Sequence, residues 1–252
     1  MSAWYEETFG RDYLALYPHR DDAEAARDVA RIVALIDPPR HEPLLDLGCG
    51  PGRHLIALHR AGFTRLTGLD LSAELLGVAR RRLDEAGCID AELVRSDMRR
   101  IPFAGYFAAM ISMFTSFGYF PSEDEDLAML AASRTALRPG GTMLLDTLHR
   151  DTTIAGLIPD EERLVAGRRV LVHRSITPDG SRVEKETRLI HAETQRVERT
   201  YRESVRMYSG DELRDLFERA GFSDTALYGG LDGSAFGAGG SRSVIVARRD
   251  DR

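Results

Sequence analysis

The sequence predicts an α/β protein. Its core is a doubly wound, mostly parallel seven-stranded sheet ending in an antiparallel hairpin, with a small antiparallel sheet inserted before the end. Three observations carry this. Short apolar runs alternate with amphipathic helical patterns from about residue 24 to residue 146, a glycine-rich turn follows the first run, and no helix separates the last two strand-like runs.

Residues 24–36 place Ala25, Val29, Ile32, Val33 and Ile36 at helical spacing and stop at Asp37-Pro38-Pro39, because a residue before proline is pushed out of the helical region. A strand at about 43–47 leads into Gly48-Cys49-Gly50-Pro51-Gly52. The helix of residues 53–61 ends at Gly62, where a left-handed backbone suits glycine. Runs 66–69, 91–95 and 107–114 read as further strands and 72–86 as a helix. Strands in this order, apolar on both faces, imply a parallel sheet covered on both sides. Ser122 and Glu125 form a capping box for a helix carrying Leu127, Leu130 and Leu137, and Pro139-Gly140-Gly141 ends it before a strand at 142–146.

The pattern then changes. Charged, β-branched, roughly alternating runs at 168–175, 182–191 and 197–208, with a turn at Thr177-Pro178-Asp179-Gly180, predict antiparallel strands exposed on one face. A helix at about 210–220 leads to strands at 222–228 and 243–247, which must pair antiparallel for want of a crossover. The whole reads as one domain, 1–252. It comprises a helical cap at 1–40, a cofactor-binding core at 41–160, an inserted sheet at 161–208 serving as a lid or a subunit contact, and a last helix with hairpin at 209–252.

A chain of 252 residues, 43% hydrophobic and 29% charged, is long enough to bury one sizeable core. A net charge of -6 provides no general attraction for nucleic acid or anionic lipid, and it suits a small neutral or cationic substrate. Cys49 and Cys88 make neither a disulfide framework nor a zinc pattern. The opening MSAWYEETFG lacks a basic stretch followed by an apolar run, and no window approaches the roughly 18–20 apolar residues of a membrane span. The expected setting is the reducing cytoplasm, with no nucleic-acid or membrane partner; a homo-oligomer through the inserted sheet stays open.

The chemistry concentrates at residues 44–52, Leu-Leu-Asp-Leu-Gly-Cys-Gly-Pro-Gly, where a strand ends and a helix begins. Glycines let a ligand approach the backbone, and the helix start offers free N–H groups. The dinucleotide fingerprint wants glycine at the first, third and sixth positions, yet Arg53 stands sixth, which argues against a nicotinamide or flavin enzyme.

This stretch resembles the first motif of the class I S-adenosyl-methionine-dependent methyltransferases, and the resemblance extends over nearly the whole chain. It implies S-adenosyl-methionine as cofactor, with S-adenosyl-homocysteine as product. It further implies that Asp46 organises the loop and reaches toward the methionine part, with Gly48, Cys49, Gly50 and Gly52 forming the turn beneath. Asp70 would bind the ribose hydroxyls, since a carboxylate can accept both protons of a cis-diol. Leu71 would lie against the adenine, Asp97 accept from its amino group, Met98 cover the ring and Met113 with Phe114 line the far side. Taken singly, Asp70 and Asp97 are more often helix N-caps, and Met98, Met113 and Phe114 read as well as buried filler.

Residues 113–120 are similar to the post-strand segment of small-molecule N-methyltransferases of the sugar-amine and antibiotic-tailoring type. Some of those carry histidine where Tyr119 stands. The catalytic candidates are Tyr119, Tyr17, Phe117 and His149. Trp4, Tyr5, Phe9, Tyr13 and Tyr17 fall at near-helical spacing, and they either form a packing face or fold over the cofactor, with Tyr13 or Tyr17 contacting its methionine end and the substrate. No carboxylate cluster follows the fourth strand, so no metal is expected. The expected reaction is in-line methyl transfer to a small-molecule nucleophile, an amine before an oxygen; a dinucleotide oxidoreductase and a non-catalytic cofactor-binding module are the readings from other classes.

Overall fold

The computed structural model describes residues 4–10, 12–17, 21–237, 239–240 and 242–250. Two short helices, α1 (Trp4–Thr8) and α2 (Tyr13–Leu16), precede the long α3 (Asp22–Ile36). Asp21 caps α3 by accepting from the Glu24 N–H at 2.7 Å, and Asp37 closes it with a left-handed backbone ahead of Pro38.

There follow β1 (Leu44–Leu47), α4 (Arg53–Arg60), β2 (Leu66–Asp70), α5 (Ala73–Glu85), β3 (Glu92–Arg95), β4 (Phe107–Ser112), α6 (Glu123–Ala136) and β5 (Leu137–Leu148). β1 and β4 are buried at every position, as strands covered on both faces must be. The Ser122–Glu125 capping box starts α6. Pro139-Gly140-Gly141 does not separate α6 from its strand. The helix runs straight into β5, and the Pro-Gly-Gly stretch is absorbed as an irregularity, where the register against β4 moves from Phe107↔Leu137 to Ala109↔Thr142. Gly140 takes φ 71° there and its N–H donates to the Arg249 carbonyl at 2.9 Å, so the backbone stays paired.

The chain continues through α7 (Arg150–Ala155), β6 (Asp160–Val165), β7 (Arg168–Ile176), β8 (Arg182–His191), β9 (Val197–Arg206), α8 (Gly210–Arg219), β10 (Ser223–Tyr228) and β11 (Arg242–Arg248). The sequence patterns predict neither α7 nor β6. α7 buries none of its residues and so shows no apolar period, while β6 is an edge strand with the sequence DEERLV.

The large sheet has seven strands in the order β10-β11-β5-β4-β1-β2-β3. It is parallel except for β11, which runs antiparallel to both β5 and β10. Apolar cores lie on both its faces, one including α3, α4 and α5, the other α6 and α8. Because β1 pairs with β4 on one side and β2 on the other, the chain departs in opposite directions from this point, leaving a crevice at the strands' carboxyl ends. The second sheet, β6-β7-β8-β9, is wholly antiparallel, and a small core of Val170, Val172, Leu189 and Tyr201 holds Leu16 of α2 against it. Among the described residues no helix is long and apolar enough to cross a membrane.

Candidate active site

The turn after β1 is pinned before any ligand is considered. The Gly48 and Cys49 N–H groups both donate to the Leu69 carbonyl, at 2.8 and 3.1 Å, tying the turn to the end of β2. Gly48 has φ 80°, and a Cβ on it would stand 2.8 Å from Ser116 Oγ, so only glycine lets the two loops meet. Gly52 closes the turn as the N-cap of α4 at φ 79°.

Gly48, Cys49 and Gly50 line a cavity of about 440 Å³ at the crevice, with Asp70, Leu71, Asp97, Met98 and Met113 also in its wall. Asp70 is held by the Gly50 N–H on one carboxylate oxygen and the Ser72 N–H on the other, both at 2.8 Å. Burial pushes its carboxyl upward against those two donors. Asp97 differs. Arg99 donates to both of its oxygens and pairs also with Glu125, while the guanidinium lies 4.3 Å from the Phe120 ring centre. Burial raises the Asp97 carboxyl, but Arg99 outweighs it and holds it below the usual range. Sequence reasoning missed Arg99 because one arginine beside another carries no periodic signal.

A second cavity of about 410 Å³ adjoins the first, and Phe9, Tyr13, Phe114 and Tyr119 line both. Its other walls come from α7 and the inserted sheet, with Tyr17 on the N-terminal side. There Glu161 pairs with Arg174 at 2.7 Å and Glu203 with Lys185 at 2.6 Å, and the Lys185 ammonium also donates to the Tyr17 hydroxyl. Tyr17 donates in turn to Glu203 at 3.3 Å. Burial disfavours the Lys185 charge, yet Glu203 and Tyr17 prevail and hold the ammonium above its ordinary value. These four charged residues were not singled out in the sequence. They sit on strands whose two faces are both charged, so polarity alternation cannot tell the cavity side from the solvent side.

The N-terminal aromatics form a continuous cluster. Tyr119 lies 4.9 Å from Trp4, 6.3 Å from Tyr5 and 5.5 Å from Phe9, measured between ring centres, and Tyr13 bridges Phe9 and Tyr17. The inserted sheet fixes the segment bearing Tyr119 from behind. Arg182 donates to the carbonyls of Gly118 and Phe120 at 3.3 and 3.2 Å, and the Arg206 N–H donates to Gly118 at 2.7 Å.

Four expected site residues stand elsewhere. Asp46 is 1% exposed and lies behind the turn rather than in the cavity wall; one of its oxygens finds no partner among the described residues, and burial lifts its carboxyl to about 6 against the pull of His54 and Arg53. Gly52 packs on Ala79, outside the wall. Phe117, at 1% exposure, is core and lies 5.5 Å from Tyr208; the segment is an irregular loop with Gly118 at φ 83° between the two rings, so Tyr119 reaches the cavities while Phe117 does not. His149 lines neither cavity: it is the N-cap of α7, Nδ1 accepting from the Thr152 N–H at 3.5 Å, and its ring stacks on Phe236 at 4.7 Å.

A family model described as a methyltransferase domain matches residues 44–141. The chain is 36% identical over 127 residues to dTDP-3-amino-3,4,6-trideoxy-alpha-D-glucopyranose N,N-dimethyltransferase of Streptomyces venezuelae, covering 50% of this chain and 51% of that protein. It is 34% identical over 137 residues to the dTDP-3-amino-3,6-dideoxy-alpha-D-glucopyranose N,N-dimethyltransferase of Streptomyces fradiae, over 54% and 48%. The chain therefore spans about half the length of the curated relatives it matches. Among solved structures, the SAM-bound amino pentose methyltransferase from Micromonospora echinaspora superposes with a TM-score of 0.70 at 28% identity, covering 95% of this chain and 97% of that one. DesVI of Streptomyces venezuelae gives 0.66 at 26%, covering 98% and 99%.

Proposed function

We propose that this chain, which is similar to S-adenosyl-methionine-dependent methyltransferases, is one itself and methylates the amine of a small, hydroxyl-bearing substrate of the amino-sugar kind. One observation carries the reading: a cavity suited to the cofactor opens onto a second, polar and aromatic cavity across Phe9, Tyr13, Phe114 and Tyr119.

The residues present fit the cofactor. Gly48 leaves a cradle that any Cβ would close, and the first cavity falls within the roughly 300–1,000 Å³ of small-molecule sites. Each Asp70 oxygen takes one backbone N–H and keeps acceptor capacity toward the cavity, as a cis-diol requires. We assign Asp70 to the ribose, Leu71, Asp97 and Met98 to the adenine end, and Gly48, Cys49, Gly50 and Met113 to the rest. When bound, the cofactor supplies an electrophilic methyl group on a sulfonium centre.

The protein's own part is alignment and exclusion of water, and alignment alone is worth about 7–11 kcal/mol of barrier. The faces of Phe9, Tyr13 and Tyr119 stabilise positive charge at the junction by about 0.5–2 kcal/mol each. Two ion pairs, Glu161–Arg174 and Glu203–Lys185, present acceptors and donors side by side, which suits a ring bearing several hydroxyls. An amine needs only to arrive neutral and aimed, so no strong base is required; Tyr119 and Tyr17 orient it.

On this reading the N-terminal cap and the inserted sheet are walls of the acceptor site. A second copy of the chain would meet that sheet on its outer face, where Leu164 is 69% exposed. The buried free thiols of Cys49 and Cys88 suit a reducing cytoplasm. A labelled-methyl transfer screen of the purified protein against amino sugars, simple amines, phenols and nucleic acids tests the proposal. Label on amino sugars supports it; label confined to phenols or nucleic acid overturns it. Tyr119→Phe should lower turnover about tenfold while cofactor affinity holds.

A further inference from the structure

Phe114 and Thr115 both have left-handed backbones, φ 56° and 63°. The other non-glycine residues of this kind among the described residues, Asp37, Ala166, Gln195 and Asp224, are single positions. Left-handed geometry is unfavourable for L-residues, rarely occurs in succession, and is most unusual for a β-branched side chain such as Thr115. Such a conformation persists only where the surroundings over-determine it.

Here the surroundings are one ion pair. Asp146, in the middle of the sheet and 3% exposed, accepts from the Phe114 N–H through Oδ2 at 3.1 Å, and its carbonyl accepts from the Thr115 N–H at 3.0 Å. Arg242, at the start of β11, closes on both carboxylate oxygens at 2.7 Å and donates through its remaining terminal nitrogen to Thr115 Oγ1 at 3.0 Å. The guanidinium of Arg53 lies 4.0 Å from the Phe114 ring centre. The Phe114 ring is thus fixed where it lines both cavities.

We propose that Asp146 and Arg242 are positioning residues that hold the Phe114–Thr115 turn in its left-handed form and so set the wall between the cofactor cavity and the acceptor cavity. Neither residue lines a cavity itself. The pair spans β5 and the antiparallel β11, so the terminal hairpin serves the site as well as closing the sheet. The consequence for catalysis rests on the methyl-transfer reading; the hold on the turn does not.

Arg242→Lys keeps the charge but cannot make the forked contact and reach Thr115 together. Amide hydrogen exchange at Phe114 and Thr115 should speed about tenfold or more in this variant, while amides in β1 and β4 keep their protection. Turnover should fall about tenfold, with S-adenosyl-homocysteine affinity, measured calorimetrically, within about threefold of the parent. Unchanged exchange at the two amides overturns the hold on the turn, and faster exchange with unchanged turnover overturns the positioning role. Uniform loss of protection and of affinity would mean a merely structural pair, which also overturns it. Should the parent transfer no methyl group at all, the functional reading fails, and exchange together with homocysteine-product affinity still decides whether the clamp holds the wall. Thr115→Asn covers the case in which the lysine variant does not fold. Asparagine tolerates the left-handed region and can still accept from Arg242, so Tm should stay level or rise; a fall of about 4 °C or more shows that the turn is not strained and removes the basis of the proposal.

Discussion

The two cavities touch through four shared side chains, yet they are assembled in different ways. The first takes much of its wall from three short segments at the carboxyl ends of strands of the parallel sheet, 48–54 without Gly52 at β1, 69–75 at β2 and 95–98 at β3, with Glu6 and Ser116 among the residues added from elsewhere. Backbone N–H groups do much of its work, as at Gly50 and Ser72 on Asp70. The second draws on α2, the loop after β4, the end of β5, α7 and all four strands of the inserted sheet, and its polar groups are side chains paired across strands. A site made of backbone turns depends on local sequence and tolerates little change. A site made of side chains from distant strands can change without disturbing the fold, so on the proposed function chemistry and specificity are separable.

That contrast can be broken experimentally. The largest effect is expected from Asp70→Ala, which deletes the central acceptor of the first cavity and frees the Gly50 and Ser72 N–H groups. Hydrogen bonds to a charged group are worth about 1.5–3 kcal/mol each, so cofactor affinity should drop by about a hundredfold or more in a calorimetric titration. Unaltered affinity would remove Asp70 from the cofactor site.

A second test addresses the joint between the parallel-sheet core and the inserted sheet, where buried Asp126 of α6 accepts from the Tyr208 hydroxyl at 2.7 Å just beyond β9. Burial lifts its carboxyl to about 6, partly opposed by that hydrogen bond. An unfolded aspartate titrates near about 3.9, so between about pH 4 and pH 6 the folded chain keeps a proton that the unfolded chain has released. This group therefore costs stability as pH rises through that window. Asp126→Asn should gain about 2–3 kcal/mol relative to the parent between pH 4 and pH 7 in urea melts. Parallel curves for the two proteins would show that the carboxyl is not displaced.

Glu203→Gln probes the second cavity alone. It weakens the pair with Lys185, and kcat/KM for the acceptor should fall about tenfold, with S-adenosyl-homocysteine binding unchanged. A matching loss in product affinity would mean that the cavities are not separable. The smallest effect is expected from His149→Ala. Loss of a helix cap costs about 1 kcal/mol, a few degrees in Tm, while turnover should stay within about twofold, since the ring faces neither cavity. A turnover drop of about a hundredfold would return His149 to the acid–base candidates.

The legible parts of the sequence were those in which a few neighbouring residues carry the whole constraint. The capping box at Ser122, the glycine turn after β1 and the acidic end of β2 each announce themselves within about seven residues, and the antiparallel β10–β11 pairing follows from the absence of a crossover helix. Expectation failed where side-chain direction mattered. Within the aromatic segment 117–120, Tyr119 lines both cavities, but Phe117 is buried in the core. His149 looked available because sequence shows an isolated histidine and not the Phe236 ring that covers it.

By itself, then, the sequence determined the parallel sheet, the hairpin that ends it and the glycine turn after β1, because strand and helix periods and glycine geometry are properties of adjacent residues. Only the tertiary structure decided that Glu161, Arg174, Lys185 and Glu203 face one cavity, that Arg99 occupies Asp97, and that Asp146 with Arg242 holds Phe114 between the two sites. Those contacts join residues up to 127 positions apart in the chain, from Thr115 to Arg242. Their energies come from burial and charge pairing that exist only once the strands have packed.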